Sequence, residues 1–92
     1  MKKKTLAITP KLGLHARPAS LFVQTSSRFQ ADVKVSKLMD GEEVVVNGKS
    51  VMGLMMLAAA FGEKVQITVD GPDEEAALAK IEELFRKKFD ED

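Results

Sequence analysis

Residues 64 to 69, KVQITV, set Val65, Ile67 and Val69 against Gln66 and Thr68 in strict alternation. A strand turns successive side chains to opposite faces, so this segment buries one face of a sheet and leaves the other wet. The pattern recurs in 32 to 38, DVKVSKL, where Val33 and Val35 are expected inward and Lys34 and Ser36 outward. Residues 43 to 47, EVVVN, then return antiparallel through a turn centred on Asp40 and Gly41. KTLAI, at 4 to 8, puts Leu6 and Ile8 on one side, and Thr9 and Pro10 end it. Strands that are apolar on one side only need a layer of helices over that side.

The intervening segments have helical spacing. From Ala16, the residues Ala19, Phe22, Val23 and Phe29 predict a helix over 16 to 28. Pro18 fits only its first turn, where the missing N–H had no intrahelical partner. Asn47 and Gly48 break the third strand, Ser50 can cap a second helix with the apolar run VMGLMMLAAAF, and Gly62 can close it at the left-handed C′ position. After Gly71 and Pro72, Asp73 caps a last helix whose buried stripe is Ala77, Leu78, Ile81, Leu84 and Phe85. Its acids come first and Arg86, Lys87 and Lys88 last, which suits the helix dipole. The order is βαββαβα. The expected class is α+β, an open-faced two-layer sandwich with a four-stranded antiparallel sheet and three helices on one face. Ninety-two residues hold one core, so a single domain over 1 to 92 is expected.

With no cysteine, the chain has no disulfide framework, thiolate nucleophile or sulfur-ligated metal, and a reducing, cytoplasmic setting is expected. The apolar stretch after the basic start is too short for a signal sequence or a membrane span. Formal charge is zero, yet residues 1 to 37 carry eight Lys or Arg against one acid, and 38 to 92 carry six against thirteen. A basic half attracts nucleic acid or an acidic or phosphorylated partner, and charge alone does not choose between them.

The one histidine lies in that basic half, in KLGLHARPAS at 11 to 20. If His15 is the N-cap of the first helix, the N–H groups of Ala16 and Arg17 point ahead of the helix and its dipole adds positive potential there. That is an anion site, and the Arg17 guanidinium can hold phosphate oxygens beside it. An imidazole nitrogen attacks only as the neutral ring, the form that the positive end of a helix favours. The set suits a histidine that takes up a phosphoryl group and gives it away again. Considered alone, His15 also fits a solvated loop residue and Arg17 a surface charge.

Other sites are weaker. One histidine and scattered carboxylates supply no metal-ligand set, and no cofactor is expected. GKS at 48 to 50 lacks the glycine of a phosphate-binding loop, since position 43 is Glu43. Ser50 is most simply a cap, although a phosphate there would also sit at a helix N-terminus. Nucleic-acid readers with this element order stack bases on aromatic residues of the sheet. Here all five phenylalanines fall in or beside helices, so no nucleic-acid partner is expected. Val51, Met52, Leu54, Met55, Met56, Leu57 and Phe61 cannot all face one core, which favours a methionine-rich docking patch over a helix sunk between neighbours.

GLHARPAS at 13 to 20 and NGKSVMGLMML at 47 to 57 resemble the phosphohistidine motif and the regulatory-serine segment of the HPr family. These are the histidine-containing phosphocarriers of the bacterial phosphoenolpyruvate-dependent phosphotransferase system, and the resemblance covers essentially the whole chain. It implies that His15 takes phosphate on Nδ1 from phosphorylated enzyme I and passes it to an enzyme IIA for sugar uptake, with Arg17 as the phosphate-side partner. The carrier is then a substrate of phosphotransferases and not an enzyme. The resemblance also implies that Ser50 is the target of an HPr kinase/phosphorylase, that Val51, Met52, Leu54 and Met55 dock partners, and that a transcriptional regulator is a further partner. No docking role is assigned to Ser20. Gly48 stands where many regulated members carry a larger residue, and the ending FDED resembles the parallel nitrogen-related branch. That branch, or a purely regulatory interaction module working through phospho-Ser50, is the alternative.

Overall fold

The structure, a computed structural model, describes residues 1–90. Seven elements follow in the order β1 (Lys2–Ala7), α1 (Ala16–Ser26), β2 (Asp32–Met39), β3 (Glu42–Asn47), α2 (Val51–Leu57), β4 (Lys64–Asp70) and α3 (Glu74–Arg86). The strands form one antiparallel sheet in the order β1-β4-β2-β3. α3 packs over β1 and β4, α2 over β2 and β3, and α1 between the two helices.

The alternation seen in the sequence is the alternation of the sheet. Val33 pairs with Val69 and Val35 with Ile67, and all four are buried with Val65 under the helices. Burying each such side chain contributes about 1.5–3 kcal/mol. Phe22 of α1 meets Phe85 of α3 edge to face, with ring centroids 6.3 Å apart. Beyond α3, Lys88, Phe89 and Asp90 take positive φ and return Phe89 to the core, 4.9 Å from Phe85 between centroids.

Several details differ from expectation. β1 begins two residues early because Lys2 and Lys4 face the helices, opposite Val69 and Ile67. Their ammonium groups reach Glu75 at 3.6 Å and Glu82 at 3.3 Å on α3, so an apolar pattern is absent from that half of the strand. α1 stops at Ser26. Ser36 does lie on the face of Lys34, between Val45 and Gln66, yet longer neighbours shield it.

The largest correction concerns α2. The helix ends at Leu57, and its left-handed cap is Ala58 at φ 53°, not Gly62. Gly62 has positive φ, but in the turn that enters β4. Helix propensity in Ala58–Ala60 loses to tertiary bonds, since the Ala59 carbonyl accepts the Leu14 N–H at 2.8 Å and Ala59 itself is buried.

The layer ends are tied by polar contacts. Ser26 Oγ donates to the Gly48 carbonyl at 2.7 Å in the interior, and Lys49 Nζ donates to the Phe29 carbonyl at 2.7 Å. Asp73 stands at the N-cap of α3 as expected, but its carboxylate does not cap that helix. It accepts the N–H groups of Gln30 and Ala31, both at 2.9 Å, and so fastens the loop after α1 to the start of α3.

Those two bonds, the one from Gln30 first, hold the Asp73 carboxyl below its ordinary range against the opposing effect of burial. A depressed folded value means that the stabilisation is present above the unfolded value and is lost as pH falls through the folded one. Asp73→Asn is therefore expected to lower Tm by several degrees at neutral pH, with the gap to the wild type closing as pH drops through the carboxylate range. Melting curves from pH 7 to pH 2 check this, and a gap that stays constant with pH contradicts it.

Candidate functional site

His15 is the N-cap of α1, in extended conformation at φ −80° and ψ −170°, and its side chain makes no capping bond. Its carbonyl accepts the first helical N–H, from Ala19, at 3.0 Å. The amides of Ala16 and Arg17 thus lie ahead of the first helical hydrogen bond, on exposed residues. Pro18 is the third helical residue and is buried, as its missing N–H allows. Ala16 and Arg17 are the first two helical residues after His15, with Arg17 exposed and His15 half-buried. Within the ring the Nε2 atom is shielded from solvent.

What fixes the loop before His15 is a close backbone approach. Gly13 has φ +79°, and a Cβ there would stand 2.7 Å from the Ala59 carbonyl oxygen and 3.2 Å from the Ala60 Cα. The Gly13 N–H bonds to the Pro10 carbonyl at 3.0 Å, and the next amide, Leu14, bonds to Ala59. Glycine is required on both counts, left-handed φ and lack of space. The consequence is that His15 borders the end of α2: with Leu12, Leu14, Met55 and Ala58–Ala60 it lines a shallow depression of about 260 Å³.

α2 presents Met52, Met55 and Met56 outward, at 74%, 44% and 74% exposure, which share one helix face by their spacing. Leu54, placed by sequence among the docking residues, is fully buried with Leu57 against the sheet, so it cannot touch a partner. Val51 is half-buried against the core. Met56 belongs to the methionine-rich patch read from the sequence, whereas sequence reasoning gave no docking role to Leu12, which is 81% exposed at the rim of the depression. The available signal for Leu12 was an apolar residue between Pro10 and Gly13 with no periodic partner.

Ser50 is the N-cap of α2, and its Oγ accepts the Gly53 N–H at 3.0 Å. Two residues earlier, Gly48 donates to the Val33 carbonyl at 2.7 Å, and a Cβ on it would stand 2.5 Å from Val33 Cγ1. A larger residue there needs Val33 to move. Among the described residues no cluster of His, Cys, Asp or Glu could hold a metal ion, and no helix is long and apolar enough to cross a membrane.

Comparison with known proteins accords with this arrangement. Residues 2–87 match the family model PTS-HPr, described as "PTS HPr component phosphorylation site". The chain belongs to the HPr family. It is 44% identical over 92 residues to the phosphocarrier protein HPr of Treponema pallidum (strain Nichols), covering 100% of both chains. It is 41% identical over 90 residues to the phosphocarrier protein NPr of Escherichia coli (strain K12), covering 98% of this chain and 97% of NPr. The crystal structure of HPr-C-His from Thermoanaerobacter tengcongensis superposes with a TM-score of 0.87 at 43% identity, covering 100% of this chain and 99% of that one. The HPr fold is thus the fold read from the alternating strands, and members of the family are phosphocarriers.

The geometry around Gly13 yields a graded expectation. Gly41→Ala, at φ +83° with nothing within 4 Å, costs about 1–2 kcal/mol for the left-handed backbone alone. Gly13→Ala adds the contact with Ala59, about 1–3 kcal/mol more. Urea unfolding of both variants measures the difference, and equal losses would show that the close approach carries no energy.

Proposed function

We propose that this chain is a cytoplasmic phosphoryl carrier that accepts a phosphoryl group on His15 Nδ1 from phosphorylated enzyme I and passes it to an enzyme IIA for sugar uptake. The observation that carries this reading is the seat of His15, an N-cap imidazole beside the Ala16 and Arg17 amides whose Nε2 is turned inward. Attack on phosphorus is assigned to the lone pair of Nδ1, the other ring nitrogen. The new P–N bond forms as the bond from phosphorus to its donor atom on enzyme I breaks, and the electron pair of the broken bond returns to that donor atom. In the second half of the cycle His15 is the leaving group. The two amides and Arg17 stabilise the oxygens of the carried group without enclosing it, because the site lies at a surface and not in a cleft. A carrier needs that shallowness: deep burial would stabilise the phosphorylated form too well for onward transfer.

The methionine face of α2 and Leu12 supply adaptable apolar contact around the histidine, which suits a protein that must meet enzyme I and enzyme IIA domains in turn. Ser50 is proposed as the site of an HPr kinase/phosphorylase. A phosphate there adds about two negative charges next to the docking helix and weakens association with acidic partners, while offering a surface to a transcriptional regulator.

Incubation with enzyme I and phosphoenolpyruvate is expected to give one acid-labile phosphate, absent in His15→Ala. An Arg17→Ala variant should still be labelled, with transfer slowed roughly tenfold to a hundredfold, as for loss of a charge-assisted contact to the moving phosphoryl group. Label retained by His15→Ala would end the proposal.

A separate assay tests the regulatory serine. ATP and an HPr kinase should place acid-stable phosphate on the wild type and none on Ser50→Ala, which also loses the cap and about 1 kcal/mol of stability. An unlabelled wild type removes the regulatory role while leaving the histidine reading intact.

A further inference from the structure

The segment between α2 and β4, residues 58 to 63, has no regular structure, yet it is bonded on three sides. Toward the His15 loop, the Ala59 carbonyl accepts the Leu14 N–H at 2.8 Å. Toward the end of β1, the Glu63 carbonyl accepts the Ile8 N–H at 2.8 Å and the Gly62 N–H donates to the Ile8 carbonyl at 2.9 Å. The third side is a single lysine. Lys37 Nζ, from β2, donates to the Ala58 carbonyl at 3.2 Å and to Glu63 Oε1 at 3.0 Å. The same carboxylate oxygen accepts the Ala60 N–H at 2.6 Å, so both ends of the segment close on one ammonium group.

Lys37 is an odd residue for its place. It pairs with Val44 and continues the helix-facing register of Val33 and Val35, where an apolar side chain would be expected. Its side chain is only 7% exposed. Withdrawing an ammonium from water is costly unless acceptors replace the water, and here this segment supplies two of them. The segment in turn forms one wall of the depression beside His15 through Ala58–Ala60.

We propose that Lys37 and Glu63 are positioning residues for phosphoryl transfer at His15. They hold Ala59 where its carbonyl fixes Leu14, and through Leu14 they set the register of the imidazole against Met55 and the docking face. The proposal rests on the reading of His15 as the phosphoryl acceptor. Because Lys37 is almost fully covered, it acts on the histidine through the backbone and not by touching a partner protein.

The test uses the full chain as wild type, Lys37→Met, Lys37→Arg and Glu63→Gln. Amide exchange by NMR is expected to quicken about tenfold or more at Leu14 in Lys37→Met, the change that follows loss of a charge-assisted hydrogen bond, while Ile67 in β4 stays protected. With enzyme I and phosphoenolpyruvate, kcat for phosphorylation should fall severalfold with KM little changed, and Lys37→Arg should recover most of it. Glu63→Gln should lie between, since the amide oxygen can still accept from Lys37 and Ala60. Unchanged Leu14 exchange overturns the proposal. So does equal acceleration at Leu14 and Ile67, which would mean general destabilisation, or faster Leu14 exchange with an unaltered transfer rate. If instead wild-type His15 takes no label, the carrier reading has failed, and the exchange data still report whether the pair fixes the loop.

Discussion

Only one face of the sheet can be buried in a chain of this size, and the rest of the molecule follows from that limit. Three helices must share the apolar side of four strands, with Val33, Val35, Val65, Ile67 and Val69 beneath them. They therefore pack edge to edge, and α1 has α2 on one flank and α3 on the other. The loop that starts α1 and the segment that leaves α2 meet at the same rim of the sheet. Apolar burial, which has no directional preference of its own, thus brings a histidine from residue 15 beside a methionine from residue 55.

Direction comes from a few polar contacts at that rim and at the opposite one. On the side of His15, the Leu14 N–H to Ala59 bond and the Lys37 to Glu63 pair fix the backbone where α2 has already ended. On the far side, Asp73 and Lys49 fasten the loop after α1. Contacts of this kind add modestly to stability, since each replaces hydrogen bonds to water. Their effect is to choose one loop geometry among the many that the same buried core would tolerate.

The arrangement also accounts for a site without a cleft. An enzyme encloses its substrate to stabilise a transition state, whereas a carrier hands the same group on and needs both forms of its histidine within reach of large partners. A helix start supplies amides and positive potential at a surface, and the exposed methionines supply apolar contact that adapts in shape.

Much of this was legible in the residues themselves. Period-two alternation settles which faces of β2 and β4 are buried, because a one-residue slip would expose Val33, Val35, Val65, Ile67 and Val69, and Pro18 places the start of α1 because no later helical position admits it. The two motifs that flank His15 and Ser50 named the family before any geometry was known. The chain could not announce that α2 stops at Leu57, since the alanines after it favour helix until a carbonyl is claimed by Leu14. Nor could it show that Leu54 faces the core while Met56 faces water, because an all-apolar helix carries no periodicity to divide its faces. Lys37 reads in sequence as one more surface charge, and only the folded chain brings its ammonium to the Ala58 carbonyl and Glu63. Local pattern determined most of the strands, the start of α1 and the motif that holds His15. Tertiary structure decided what surrounds that histidine, because those contacts join residues far apart in the chain, and no spacing rule reaches across them.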